Sequence, residues 1–521
     1  MYLLEADLAS AALVLPASAE ALQAEQLLRI STYAYASDPI DTPASTYWLP
    51  RILGGVTVEQ DALGLLGAGG VVAVTAAELV VSDQDGWALD LARYGGADGR
   101  EVELRVAEVA NERASDFGTP LRDTAIAWQG RVRRVDRAQG RRARIGLDDP
   151  AGLLQVPLQQ LRYAGTGGLA GPAALADRPQ PLALGQLFNV PPIDLGLIDL
   201  GDGALPTYQS HWRAIVAHDA VRIRGVDQVE VFSAPGVAEW RDWPALGLFQ
   251  IGSTPDGAVT ADLRGDADGY PDTTAGILWR LLSVHGPQLT ESGRDGEAWA
   301  FAELALPGPV GFWQPAEEIT ALAACQRLLA GCGAVLAGGR DGRFRIFDPF
   351  TQVSDIQIDL LPGMILAEPV PVALPDALAP ARREVLVEWG RNHAPLAEIG
   401  TAADANLRKR LTDAEPPVAS ITSATITARV QAQRSLRLPG LYAEPTAAQA
   451  RAAVLSAWME GGGRAWSVTT DRYRGVVNLG DWARATYPMP GLDGGFSGVV
   501  MAMREDLDRG RVTLVILGAG G

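Results

Sequence analysis

WQGRVRRV, residues 128–135, starts with an aromatic residue, places a glycine two positions later and continues with valines spaced among arginines. This alternation predicts a half-buried β-strand. A second alternating run, Ala143–Leu147, follows a short link that contains Gly140 and Arg141. Two alternating runs joined by a glycine-containing link are typical of a β-hairpin.

The same pattern returns near the C-terminus as FSGVVMAM, residues 496–503, followed by Gly510-Arg511. The distance from the first glycine to the Gly-Arg pair is two residues longer in this copy. Hairpins resemble one another, so a chance match is the alternative. We interpret the match as an internal duplication, which predicts two β-barrels of one type at opposite ends of the chain with other modules between them.

Composition limits the class of protein. The chain has 521 residues, enough for about three or four domains. Its 58 glycines and 34 prolines favour turns and short strands over long helices. A net charge of −18 argues against a general binder of nucleic acid or anionic membranes, but it permits a protein that DNA slides past.

Three helices and one further hairpin are expected between the repeated hairpins. The N-cap cluster Asp272–Thr274 predicts one helix, Pro315 to Gly331 a second, and Ala447–Met459 a third. Residues 335–347 predict a tight hairpin after the second helix, so this part forms a compact α/β unit. The only lysine, Lys409, lies in a basic run that predicts a solvated helix end.

The glycine-rich segment LRYAGTGGLA, residues 161–170, has the look of a phosphate loop. A Walker loop needs a lysine, which this segment lacks. Gly165–Ala170 fits a relaxed dinucleotide fingerprint, but that fingerprint must precede a long helix. Pro172, Pro179 and Pro181 leave room for two helical turns at most, so the segment is predicted to be a glycine-rich turn between domains.

Metal-binding candidates are weak. Cys325 and Cys332 are too few for a disulfide framework or a zinc site and are expected to be buried, reduced thiols. Asp266-x-Asp268-Gly269 resembles the start of an EF-hand loop, but its glycine comes too early and no glutamate closes it. A turn with a helix cap is expected there. The four histidines are scattered along the chain: His211, His218, His285 and His393. His211 and His218 are seven residues apart, so they are expected on opposite faces of a strand.

Enzyme motifs are also missing from the sequence. There is no Gly-x-Ser-x-Gly, since Ser497 follows Gly495 by two but Val499 replaces the last glycine, and there is no His-Glu-x-x-His. Because Asp and Glu are plentiful, the sequence does not exclude a pair of catalytic carboxylates such as hydrolases use. No segment looks like a separate enzyme module, so we expect a protein that is not an enzyme and has no catalytic, cofactor or metal residues. No secretory signal or bilayer-spanning run is evident, which predicts a soluble protein made in the cytoplasm.

Several pieces of the chain, in order, resemble the baseplate or tail-tip hub proteins of tailed bacteriophages and gene transfer agents. No single piece is specific, but the ordered set is. The pieces are Ser37–Ala44 with Tyr47 and Pro50, Ser82–Gly86, Arg162–Leu169 with Arg178–Gly185, Val259–Asp266, and Gly475–Val477 with Gly510–Leu514.

This resemblance implies a structural virion protein at the tail tip, made in the host cytoplasm. Three subunits, each giving two tube-type barrels, would form a ring of six barrels that continues the hexameric tail tube. Such a hub would join the tube to the tail tip and form a conduit for DNA ejection, with DNA only as passing cargo. Implied neighbours are the distal tail protein, other tail-tip proteins, the tape measure protein, and tail fibre or receptor-binding proteins. A tail-associated peptidoglycan hydrolase is the alternative.

The expected fold class is therefore mainly β with α/β modules, in a multi-domain chain with two tube-type β-barrels and smaller peripheral domains. The expected domains are a first hub barrel at 1–165, a middle mostly-β module at 166–310, a helix-plus-hairpin module at 311–350, a second hub barrel from 351–400 and 465–521, and an inserted peripheral helical segment at 401–464.

Overall fold

The computed structural model describes residues 2–8, 26–72, 74–90, 99–106, 120–148, 150–352, 355–431 and 434–519. It is mainly β, with several sheets in several domains, which confirms the expected fold class. Short alternating runs separated by glycine and proline favour this outcome, because each run is long enough for a strand and too short for a stable helix.

In its described residues, the N-terminal region contributes ten strands and one short α-helix, α1 (Trp87–Asp90). The strands are β1 (Tyr2–Leu8), β2 (Gln26–Ser31), β3 (Tyr35–Ala36), β4 (Tyr47–Pro50), β5 (Ile52–Asp61), β6 (Gly70–Val71), β7 (Val74–Ser82), β8 (Glu101–Val106), β9 (Ala125–Ala138) and β10 (Arg142–Asp148).

Two five-stranded sheets follow, in the orders β15-β14-β19-β11-β20 and β12-β13-β18-β17-β16. Their strands are β11 (Leu182–Val190), β12 (Ile193–Asp199), β13 (Ala204–Gln209), β14 (Ala217–Ile223), β15 (Val226–Asp227), β16 (Val229–Glu230), β17 (Glu239–Trp243), β18 (Leu248–Ile251), β19 (Val259–Gly265) and β20 (Gly311–Gln314).

Three α-helices lie in the next part of the chain: α2 (Thr274–Arg280), α3 (Gly296–Ala305), which packs against Phe344–Phe347 and α2, and α4 (Ala321–Ala330). The first was predicted, and Thr273 caps it by accepting a hydrogen bond from the Gly276 amide. The sequence analysis missed α3. It also placed the start of α4 too early, because Thr320, not Pro315, is its N-cap. The predicted hairpin after α4 is present as β21 (Val335–Gly338) and β22 (Phe344–Phe347).

The remaining helices are α5 (Ala405–Thr412), α6 (Ala424–Arg429) and α7 (Pro445–Glu460), of which α7 was predicted. Arg451 of α7 makes a bidentate ion pair with Asp348, at 2.8 Å for each contact, with both side chains fully buried. The remaining strands are β23 (Ile358–Leu360), β24 (Val370–Val372), β25 (Glu384–Trp389), β26 (Val418–Thr422), β27 (Ser435–Tyr442), β28 (Arg464–Thr470), β29 (Trp482–Ala485), β30 (Phe496–Asp506) and β31 (Arg511–Gly518).

The largest sheet joins the two ends of the chain. Part of its strand order is β24-β28-β31-β30-β5-β7-β10-β9-β8, with β29 beside β30. This path contains one five-stranded arrangement twice. The first unit is β5-β7-β10-β9-β8 and the second unit is β24-β28-β31-β30-β29. Corresponding strands also occur in the same order along the chain: β5, β7, β8, β9 and β10 in the first unit, and β24, β28, β29, β30 and β31 in the second. The duplication therefore extends from two hairpins to ten strands.

The strand registers of the two units agree residue by residue. In both hairpins, the residue after the repeated glycine pairs with the seventh residue of the last strand: Arg131 with Asp148, and Val499 with Leu517. The repeated glycine itself also has matching partners on its other side, Val102 for Gly130 and Ala483 for Gly498. Chance similarity of two hairpins would not reproduce these flanking strands.

A shared β-bulge explains why glycine recurs. Both ladders skip the third residue after the glycine, Arg133 in β9 and Met501 in β30. At both glycines the backbone carbonyl of the facing strand lies close. A Cβ added to Gly130 would lie 2.2 Å from the Asp148 carbonyl oxygen, and one added to Gly498 would lie 2.1 Å from the Leu517 carbonyl oxygen. Such a distance excludes a side chain at either position.

The turn pairs differ from the sequence interpretation. Arg141 lies in the first turn with φ of 59°, whereas Arg511 is already paired with Asp506 in the second ladder. The Gly-Arg pairs are therefore not equivalent. Counted by register, three residues link β9 to β10 and four link β30 to β31, so the second loop is one residue longer rather than two. Closure of either unit into a barrel remains a prediction.

Candidate assembly interface

The two units meet edge to edge at a junction formed by β30 and β5. Ala502–Asp506 of β30 pair antiparallel with Thr57–Asp61 of β5, and the Ala62 amide donates to the Met501 carbonyl at 2.8 Å. The two units consequently share one continuous hydrogen-bonded ladder. The exposed pair Arg504–Glu59, 3.9 Å apart, lies across it and adds little because solvent screens it.

Arg340, from the link between β21 and β22, lies buried across this junction. Its guanidinium contacts the Glu505 carboxylate of the second unit, and both side chains are almost fully buried. Arg340 Nη1 also donates to the Ala127 carbonyl of the first unit at 3.0 Å. Its backbone carbonyl accepts from the Gln129 amide at 2.6 Å. Arg340 thus ties both units to the β21–β22 hairpin.

Each unit also has an outer edge with which no further described strand pairs. Within the described part of the chain, β24 pairs with β28 alone. The second half of β9, Arg134–Ala138, pairs with β10 on one side, and no described strand lies on its other side. Unpaired strand edges are templates for pairing with another chain.

The glycine-rich segment is a turn, as predicted. Two three-residue 3₁₀ helices, Gly168–Ala170 and Ala173–Leu175, occupy the place where a dinucleotide site needs a long helix. Gly165 has a φ of 70° and a Cβ there would lie 2.6 Å from the Ala176 Cβ. The glycine therefore serves a close backbone approach.

In the segment that resembles the start of an EF-hand loop, the Asp266 carboxylate is paired with protein groups. Arg280 donates to Asp266 Oδ2 through Nε at 2.9 Å and through Nη2 at 2.7 Å. Burial acts to raise the pKa of Asp266, but the nearby His285 and the hydrogen bonds from Arg280 outweigh it and lower that pKa. Across the described residues, no three His, Cys, Asp or Glu side chains gather as a metal site requires.

The histidines do not lie as the sequence analysis expected. His218 is in β14, whereas His211 precedes that strand and stands beside His285, with 6.1 Å between ring centroids. The Ala183 amide donates to His211 Nδ1 at 3.0 Å. Burial, followed by the nearby His285, lowers the pKa of His211 to about 3. Burial likewise lowers the pKa of His285, so both rings are neutral at pH 7.

The other predicted candidates are structural. Cys325 and Cys332 are free and buried, as expected, and burial raises the pKa of Cys325 to about 12, which makes it a poor nucleophile. Lys409 is exposed near the end of α5, but its neighbour Arg410 is not solvated as predicted. Arg410 instead stacks on Phe188, with its guanidinium 3.6 Å from the ring centroid.

One constellation escaped the sequence analysis. His218 Nε2 lies 3.0 Å from Ser210 Oγ, and His218 Nδ1 lies 2.7 Å from Asp242 Oδ1, which is the order of a serine-hydrolase triad. Ser210 is completely buried, and His218 packs edge-on against Phe249 with centroids 4.9 Å apart. A substrate carbonyl cannot reach a completely buried hydroxyl, so in this conformation the three side chains satisfy one another inside the fold.

With this geometry established, the chain can be compared with known proteins. It is similar to phage tail proteins. The tail protein from Neisseria meningitidis is 11% identical, with a TM-score of 0.40 over 89% of this chain and 91% of that one. A virion protein of a native gene transfer agent is 14% identical, with a TM-score of 0.37 over 66% and 84%.

A 43 kDa prophage tail protein from Shewanella oneidensis is 10% identical, with a TM-score of 0.37 over 91% of this chain and 94% of that one. These names belong to the class of protein that the sequence pieces resemble. No family model and no curated protein sequence matches the chain. Among the described helices, none has the length and apolarity to cross a bilayer.

Proposed function

We propose that this protein is a structural component of a phage-type tail: a homotrimeric hub at the distal end of the tail tube. The observation that carries the proposal is the duplicated five-stranded unit, whose two copies join edge to edge through β30 and β5. Three chains with two such units each would supply six similar units. Six similar units match the sixfold symmetry of the tail tube that the sequence resemblance implies.

In this proposal the hub joins the tube to the tail tip, and DNA passes through the ring without being held. The net charge of −18 per chain suits a conduit, because a negative or neutral lumen repels the phosphate backbone. Its neighbours would be the distal tail protein, the tape measure protein, other tail-tip proteins, and tail fibre or receptor-binding proteins.

The mass of the purified protein tests the proposal. A trimer of the 55.0 kDa chain is expected by light scattering, and particles viewed end-on by electron microscopy should show six similar lobes. A folded protein that stays monomeric at its highest soluble concentration would contradict the hub. A stable assembly of two or four chains would contradict the sixfold ring.

A tail-associated peptidoglycan hydrolase is the second candidate, and the Ser210–His218–Asp242 arrangement is the observation that favours it. Such a triad cleaves amide or ester bonds, so it would act on the peptide part of the cell wall. Dye release from purified peptidoglycan tests it, with Ser210→Ala as the variant. Because Ser210 is completely buried, we expect no release from either protein. Release that the substitution abolishes would favour the hydrolase.

A further inference from the structure

Among the described strands, the junction inside the chain has two counterparts that no strand fills. The contact between β30 and β5 uses the second half of the outer edge of β30. The register equivalence of the units makes Arg134–Ala138 of β9 the counterpart of Ala502–Asp506. Ser467 of β28 and Glu78 of β7 are equivalent in the two units. Val370 pairs with Ser467 and Thr57 pairs with Glu78, so β24 is the counterpart of β5. These two counterparts are the open edges described above.

We propose that Arg134–Ala138 of one chain pairs with β24 of a second copy, in the antiparallel register that β30 and β5 have within one chain. The proposal rests on the trimeric hub and adds to it the residues that join the subunits. Transferring the internal register gives these intermolecular pairs: Ala138 with Val370, Arg137 with Pro371, and Asp136 with Val372.

In this proposal the partner strand comes from another chain. In the sheet, β24 and β9 are separated by six strands, β28, β31, β30, β5, β7 and β10. Each chain therefore presents one edge of each kind at distant places. Contacts between two different surfaces are head-to-tail, and they close into a ring when the rotation between subunits allows it.

The chain segments around the two edges differ in the sign of their charge. Residues 131–144 contain seven arginines and one aspartate, whereas residues 355–380 contain four carboxylates and no basic residue. One of those carboxylates, Asp359, already pairs with Arg484. The segment equivalent to 131–144 in the second unit, residues 499–513, has three arginines and three carboxylates. The excess of arginine is thus confined to the unit whose edge is open.

Exposed apolar side chains also mark β24 as a surface that is covered in the assembly. Val370 is 58% exposed and Leu366, just before the strand, is 48% exposed. At the filled junction, the counterpart of exposed Pro371 is Val58, which is completely buried. Pro371 has no N–H group, so at this pair only its carbonyl can join the ladder.

Cysteine cross-linking tests the register. Asp136→Cys combined with Val372→Cys in one chain should give covalent dimers and trimers on mild oxidation, because facing Cβ atoms of paired strands lie within disulfide reach. Asp136→Cys with Leu366→Cys, six residues out of register, is the matched control and should give none. Glu59→Cys with Arg504→Cys reports the internal junction and should close within the chain. Cys325 and Cys332 are buried and do not interfere.

The outcomes separate this inference from the hub itself. Covalent oligomers from the in-register pair alone support the proposed contact. A trimer by light scattering without cross-linking of that pair, or with equal cross-linking of the control, overturns the contact and leaves the hub standing. A protein that is monomeric and gives no intermolecular cross-link overturns both.

Discussion

In the second unit, β30 is covered along both edges: β31 lies on one side, and β29 and then β5 lie on the other. In the first unit, β9 has β10 on one side and β8 along part of the other, and no described strand lies beyond. Side chains at equivalent positions follow this difference. The bulge residue is buried Met501 in one unit and exposed Arg133 in the other, and buried Glu505 corresponds to exposed Arg137.

This comparison distinguishes residues that the backbone geometry of the unit requires from residues that depend on what packs against the unit. Gly130 and Gly498 are the same because the bulge allows nothing else. Arg137 and Glu505 differ because Arg340 covers only the second. Arginines on an open edge could also serve only to prevent unwanted pairing. Glu368 and Asp376, which flank β24, and the exposed side chains of Val370 and Leu366 favour a specific contact instead.

The largest effect is expected at the filled junction. Arg340→Ala would leave the Glu505 carboxylate buried without its partner, which should cost about 3–5 kcal/mol of unfolding free energy. Urea unfolding of the variant measures this. The double variant Arg340→Met with Glu505→Leu removes both charges and should recover most of the loss. A single variant as stable as the unmodified protein would show that the junction does not depend on this pair.

The equivalence of the units predicts equal costs at their glycines. Gly130→Ala and Gly498→Ala each force a Cβ against a facing carbonyl, so each should destabilise its unit by about 1–3 kcal/mol. Thermal unfolding measures both. Gly494→Ala is the control, because a Cβ there meets nothing within 4 Å. A large cost at one glycine and none at the other would contradict the structural equivalence.

The sequence predicted the repeated hairpin, because an aromatic residue and a bulge glycine recur at fixed spacing in both copies. It did not predict that β24 corresponds to β5, since Val370-Pro371-Val372 and Thr57-Val58-Glu59 share no pattern. Side chains adapt to different coverings while backbone pairing stays the same. The Arg340–Glu505 contact was also missed, because 164 intervening residues carry no local signal of the pairing.

Acid should weaken the region between the units before the units themselves. Neither unit contains a histidine, whereas His211 is buried beyond them with a pKa of about 3 against an ordinary 6.5. Between those values the unfolded chain binds a proton that the folded one does not, so stability is full above about pH 6.5 and falls as the pH drops.

Thermal unfolding across this pH range measures the effect. His211→Asn keeps an acceptor for the Ala183 amide and removes the titrating group, so its melting temperature should depend less on pH. If the melting temperatures of the variant and of the unmodified protein depend on pH in the same way, the acid sensitivity comes from a group other than His211. His393, whose pKa burial also lowers to about 3, is the next candidate, with the same sign.

The smallest effect is expected with DNA, although the arginines of residues 131–144 could hold phosphates if they lined the channel. In the proposed ring, these arginines face the carboxylates around β24 and leave the lumen neutral or negative. The trimer should then retain no more duplex DNA than a neutral protein at about 0.15 M salt. Binding at low salt alone would not distinguish the two arrangements, because exposed arginines attract DNA wherever they lie.

Tight binding at physiological salt that is lost when Arg134 and Arg137 become glutamine would place these arginines in the channel. That result would replace passive passage with a role in gripping DNA, and it would break the link between the open edge of the first unit and a second subunit.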